Sequence, residues 1–159
     1  MNTINITMTN TTFRNANEAY EYLHDKIIRE GIKFGDTKAL FNVGFYITDP
    51  MDNKIINKER NWKIEYAHSE WRWYISEDRN ISKLGEIYGK IPEIWKRMAN
   101  TNGDVNSNYG WQWGRNDQID YVVNLLKTEK DTRQAVITIL DMKEHDTFTF
   151  DTPCTYAIQ

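Results

Sequence analysis

Residues 59–76 read ERNWKIEYAHSEWRWYIS. Apolar and aromatic side chains recur here at helical spacing, and Trp62, Tyr66, Trp71, Trp73 and Tyr74 occupy more than one face. A helix that is aromatic on several faces is packed on several faces, so this segment is expected to be a long helix buried on several sides. Glu70 stands in its midst. A carboxylate among Trp71, Trp73 and Tyr74 lies either on the wet side of the helix or in a buried setting suited to moving protons near neutrality.

Upstream, residues 1–12 are polar and Thr/Asn-rich and read as an arm or an edge strand. Asn15 with Glu18 has the spacing of a capping box. Ala16, Ala19, Tyr20, Leu23 and Ile27 then follow a helical period. The glycines of EGIKFGD (30–36) mark a turn, and TKALFNVGFYITDP (37–50) reads as a strand ended by Pro50. Downstream, a short helix is expected after Pro92, followed by an Asn- and Gly-rich loop through residue 116. DQIDYVVNLLKTEKD (117–131) reads as an amphipathic helix with Ile119, Val122, Val123 and Leu126 on one side. RQAVITILDM (133–142) and DTFTFDTPCTYAIQ (146–159) are β-rich. No repeat, low-complexity tract or linker interrupts the chain, so residues 1–159 are expected to form one α+β domain.

The chain has 159 residues, six Trp, nine Tyr and six Phe, enough aromatic surface for a core of its own. Its net charge of −3 argues against a nucleic-acid duplex as main partner. No apolar run approaches the roughly 18 residues of a membrane span, and the first residues lack the pattern of a signal peptide. One cysteine allows no internal disulfide, so a cytoplasmic setting is expected.

The chemistry-bearing residues are few. His24, His68 and His145 lack metal-ligand spacing, and His24 and His145 read as surface residues. There is no glycine-rich phosphate loop and no Gly-x-Ser-x-Gly elbow. Cys154 is either a small buried hydrophobe or, given a stabilised thiolate, a nucleophile. Arg133 and Lys38 read on their own as solvated charges.

Taken together, HSEWRWYIS, IPEIW, NGDVNSNYGWQW, DQIDYVVNLLKTEKDTRQAVI and DTPCTYAIQ resemble, in order and spacing, the motifs of the thymidylate synthase superfamily over residues 60–159. VNSNYGW, and Thr155 after the cysteine, are most similar to the phage deoxycytidylate 5-hydroxymethylases. The resemblance implies an α+β fold with a mixed sheet flanked by helices. It also implies a one-carbon transfer from 5,10-methylenetetrahydrofolate to C5 of a deoxypyrimidine monophosphate, dCMP being favoured. The Cys154 thiolate would add to C6 and make C5 nucleophilic; water at the resulting exocyclic carbon gives a hydroxymethyl product, and hydride gives the methyl product of a thymidylate synthase acting on dUMP.

By the same resemblance Glu70 organises protons around the base, Tyr109 assists proton removal at C5, and Trp95 lines the folate and base cavity. Asn108, in the same Asn-Tyr-Gly stretch, and Lys38 join the binding residues. Arg133 would reach the phosphate in the other subunit of a homodimer, whereas Gln134 stands where the family has a second arginine. An Arg-Ser segment, a base-reading Asn or Asp and a His-x-Tyr pair follow the cysteine in the family and are not found before Gln159. The chain is therefore expected to be the N-terminal part of a longer enzyme, located in the host cytoplasm if phage-encoded. The alternative expectation is a short, catalytically dead relative that serves as a binding module.

Overall fold

The computed structural model describes residues 11–159. Helices and short strands are mixed along the chain, as expected of an α+β protein. The arm read over residues 1–12 lies outside the described residues up to residue 10; its last two residues open the first strand. Contacts divide the chain into two compact units, one ending at Trp62 and the other running from Lys63 to Gln159. Each is described by itself.

In the first unit, β1 (Thr11–Phe13) pairs in parallel with β4 (Phe45–Ile47), with Phe13 opposite Ile47. Between them run α1 (Ala16–Glu30) and a hairpin of β2 (Ile32–Phe34) and β3 (Thr37–Ala39). The capping box forms at α1: Glu18 N donates to Asn15 Oδ1 at 3.0 Å. The Glu18 carboxylate reaches back to the N–H of Arg14, one residue before the cap, at 2.8 Å. One N–H that the first helical turn leaves free is thus satisfied, and the Glu18 carboxylate fixes the chain just before the cap. Phe13 and Ala19 are buried, and the Phe13 ring meets Tyr22 at 5.2 Å and Phe45 at 5.7 Å. The strand expected over 37–50 is broken in two. Asn42 adopts a left-handed φ of 55°, which no strand continues through.

The second unit is built on α2 (Ile64–Ile75). The helix begins five residues later than its sequence pattern, because Asn61 has φ 48° and ends the preceding turn. Trp73 is fully buried among Ile81, Leu84 and Val105, with Tyr66, Tyr74 and Trp95 packed around this core. Burial of an aromatic or a leucine of this kind stabilises by about 2–3 kcal/mol each. Trp73 also satisfies its indole N–H on the carbonyl of Asn80 at 3.1 Å. Leu84 and Ile81 come from α3 (Ile81–Tyr88), which packs across α2. Asn80 caps it by accepting from Ser82 N, and Gly89 closes it with φ 83°.

Next come α4 (Glu93–Met98) after Pro92, and α5 (Tyr109–Gly114), which replaces part of the loop expected there. A single 3-10 turn over residues 115–117 leads into α6 (Gln118–Thr128). The apolar side of α6 read from sequence remains partly open, with Ile119, Val123 and Leu126 all exposed. The chain ends in a two-residue antiparallel ladder of β5 (Ile137–Thr138) and β6 (Ala157–Ile158). The described strands thus form three separate two-stranded ladders.

Two features fix α5 and the segment that carries the cysteine. Gly110 lies directly on the backbone of α2: a Cβ there would overlap the carbonyl group of Tyr74. Only glycine lets two helices approach so closely. The second feature is Asp151, buried although charged. Its carboxylate accepts from the backbone N–H of Asn106 at 3.0 Å and of Ser107 at 2.6 Å, and also from the Ser107 hydroxyl. Asn106, fully buried, answers by donating to the carbonyl of Asp146 and to Thr149 Oγ1, and by accepting from Asp146 N. Asp146 is gripped again by Asn100 at 2.6 Å. The Phe148 N–H, and next the Asn100 amide, hold the Asp146 carboxyl below the usual carboxylate range.

Gly110→Ala is expected to destabilise the fold by about 3 kcal/mol, since the added methyl meets backbone that has no rotamer to yield. Asp151→Ala should cost a similar amount, about 3 kcal/mol, by stranding buried N–H donors. Urea denaturation followed by tryptophan fluorescence measures both; a midpoint equal to wild type in either variant contradicts the corresponding contact.

Candidate active site

The stretch from Val105 to Tyr109 receives the C-terminal segment through Asp151, and that docking sets where the cysteine lies. Pro153 is fully buried directly before it, whereas Cys154 itself is exposed. An exposed thiol between a buried proline and a short strand is accessible to a reactant, and the greasy-interior reading of this residue does not apply. The Cys154 backbone N–H donates to the Tyr109 hydroxyl at 3.0 Å. That bond spans 45 residues and joins the start of α5 to the nucleophile candidate.

Tyr109 is aimed by its neighbours. Its ring meets Tyr74 edge-on at 5.7 Å and 89°, and stacks with Trp113 at 6.2 Å. One turn earlier in α2, Glu70 accepts from the Tyr66 hydroxyl at 2.7 Å. The Trp95 indole N–H donates to that same hydroxyl at 2.7 Å. Burial is the main cause that pushes the Tyr74 phenol well above the usual tyrosine range, and the Glu70 charge adds to it. Tyr66 is raised for the same first reason, with its hydrogen bond to Glu70 next. Both phenols therefore keep their protons through neutral pH. Glu70, Tyr66 and Trp95, all half-buried, form one hydrogen-bonded group, and half-buried Tyr74 and Tyr109 form a second that reaches the Cys154 backbone.

Asn108 occupies a different kind of position. It is fully buried and caps α5: its Oδ1 accepts from Trp111 N at 2.8 Å, and its Nδ2 donates to the carbonyl of Asp78 at 3.1 Å. Its amide thus holds the turn from which Tyr109 projects. Arg133 is exposed, and among the described residues its guanidinium forms no ion pair. Its carbonyl accepts from Gln159 Nε2 at 2.8 Å, which ties the last residue to the start of the β5 segment. Lys38 lies in the first unit, on β3, where its ammonium caps α1 by donating to the Ile28 carbonyl at 2.6 Å. A cation at a helix C-terminus satisfies a free carbonyl there and complements the helix dipole. Among the described residues no cluster of histidine, cysteine or carboxylate is arranged to hold a metal, and no helix is long and apolar enough to cross a membrane.

Sequence reasoning passed over Tyr66, Tyr74 and Asp151. Tyr66 carried a legible signal, four residues before Glu70 on one helix. Asp151 carried little: one acidic residue among threonines and phenylalanines in a segment expected to be β.

Among the curated proteins similar to part of the chain are the deoxycytidylate 5-hydroxymethyltransferases of Enterobacteria phages T4, T2 and T6. Each is 33% identical over 76 residues, covering 46% of this chain and 30% of the relative. The match therefore spans less than a third of these relatives' length. The family model described as thymidylate synthase matches residues 18–159, nearly the whole chain. With the Pro-Cys segment docked on the Asn-Tyr-Gly turn and the glutamate helix alongside, this match identifies the chain as a member of the thymidylate synthase family.

Proposed function

We propose that the chain carries the nucleophile and the proton-handling residues of a folate-dependent 5-hydroxymethylation of a deoxypyrimidine monophosphate, with dCMP as the favoured substrate. Membership of the family supports a one-carbon transferase acting on deoxynucleotides. The similarity to phage deoxycytidylate 5-hydroxymethyltransferases, together with Thr155 after the cysteine, supports the finer choice of base and product. The observation that carries the reading is the exposed Cys154, whose backbone N–H is held by the hydroxyl of Tyr109, a residue packed on Tyr74 one turn after Glu70 in α2.

The residues suit the chemistry in a definite order. Cys154 is accessible to a flat ring, and its sulfur forms a bond to C6 while the electron pair of the C5–C6 double bond moves to C5. The Tyr109 hydroxyl accepts the Cys154 N–H and so has its own proton free to point away from the chain. It orders the oxygen or water that takes the proton lost from C5. Glu70 receives or returns protons around the base, as a carboxylate hydrogen-bonded on one oxygen and open on the other.

The Trp95 ring packs edge-on against Trp73 at 5.2 Å and has its N–H committed to Tyr66. It therefore offers a π face rather than a hydrogen bond, which fits the flat pterin of a folate. When bound, 5,10-methylenetetrahydrofolate supplies the one-carbon unit at the oxidation level of formaldehyde. Arg133, exposed and unpaired among the described residues, is the cation proposed to reach a substrate phosphate in a homodimeric partner. Lys38, with its ammonium on a helix carbonyl, is a weaker phosphate ligand on this reading, and Asn108 contributes by shaping the turn under Tyr109.

Release of tritium from C5-labelled dCMP tests the proposal directly, with C5-labelled dUMP as the comparison. Release is expected to be faster from dCMP. Cys154→Ser should lower it by about three orders of magnitude or more, and Glu70→Gln by about 10²–10⁴-fold. Undiminished release by Cys154→Ser refutes covalent catalysis at this residue.

A further inference from the structure

Tyr66, on the aromatic helix, has no role in the reaction above. Tyr66 stands four positions before Glu70 on α2, so the two side chains leave the same face one turn apart. The Tyr66 hydroxyl donates to Glu70 Oε1 and accepts from Trp95 Nε1, both at 2.7 Å. Chemistry fixes the direction of the indole bond. An indole N–H can only donate, so the Tyr66 oxygen must be its acceptor. The phenol proton points at Glu70, whose carboxylate accepts it on Oε1. A carboxyl group whose Oε1 is an acceptor can carry a proton only on Oε2. Tyr66 does not surrender its own proton near neutrality: burial, and then the bond to Glu70, push it well above the usual tyrosine range.

We propose that Tyr66, held by Trp95, is a positioning residue that orients the Glu70 carboxyl so that every proton it exchanges passes through Oε2. The inference rests on the reading of Glu70 as the proton-handling group and adds to it which oxygen acts and what fixes it. In each exchange one O–H bond at Oε2 forms or breaks, and Glu70 alternates between carboxylic acid and carboxylate. Tyr66 and Trp95 keep their protons throughout. Without the phenol, the terminal carboxyl torsion is broad and two-fold, and the oxygens interchange.

The test uses the full chain carrying Tyr66→Phe, with two readouts. The first needs no turnover: hydrogen–deuterium exchange of the Trp95 indole N–H, followed by two-dimensional NMR. Loss of its acceptor should speed this exchange by about tenfold or more, which corresponds to one hydrogen bond. Glu70→Gln should give a smaller acceleration in the same direction, because the charge that polarises the phenol is gone. The second readout is C5 tritium release. Tyr66→Phe should lower kcat by about tenfold or more while KM changes by less than about twofold. A purely structural role would not separate the two constants in this way.

Faster indole exchange with a selective loss of kcat is the expected result. Indole exchange unchanged by Tyr66→Phe, or a wild-type kcat in the folded variant, overturns the proposal. Faster exchange in a wild-type background that releases no tritium from either nucleotide discards the transfer reaction, and with it the proton path, while the Trp95–Tyr66–Glu70 connection stands; the two readings therefore fail separately.

Discussion

The carboxylate of Asp151 is the constraint on which the placement of the candidate site depends. It sits out of water, and it is tolerable there because it collects N–H groups from Asn106 and Ser107 together with a hydroxyl. Charge-assisted bonds to backbone are among the stronger ones a protein makes. They tie the segment before Cys154 to the residues that lead into α5. Asn106 seals the arrangement from the other side by bonding back to Asp146 and Thr149. The effect of this cluster is to set the cysteine beside Tyr109, and Gly110 in turn sets Tyr109 against α2.

The central helix then has two duties that conflict in most proteins. Trp73 fills the core, and Glu70, three residues earlier, is half-buried at its edge. Helical geometry separates them by most of a right angle around the axis, so the aromatic face and the acidic edge adjoin without coinciding. Tyr66 and Tyr74 flank Glu70 by one turn on either side. Their phenols line that boundary with groups that remain neutral donors, which suits a carboxylate at the margin of a core.

Much of this was legible before any coordinates. The capping box at Asn15, the helix after Pro92, the long aromatic helix and the amphipathic helix read over 117–131, which spans Gln118–Thr128, followed from local rules, and the five ordered motifs pointed to the family. What escaped was decided by contacts distant in sequence or by single dihedral angles. The α3 helix is short and carries Gly85 inside it, so its periodicity is faint. The six residues of α5 begin in an Asn-rich stretch and include two glycines, which local propensity assigns to a loop; packing on Tyr74 makes them a helix. The strand expected over 37–50 fails at Asn42 for want of a compatible φ. The roles of Asp151 and Asn106 depend on partners some 40 residues away, which no local window contains.

That separation also bears on the order in which the chain acquires its shape. Closing a loop of 45 residues between Asn106 and Asp151 has an entropic cost that nearby contacts do not share. The packing of α2 on α3 joins neighbours in sequence and forms early by comparison. The segment carrying Cys154 is therefore expected to dock late in folding, after the α2–α3 scaffold that receives it.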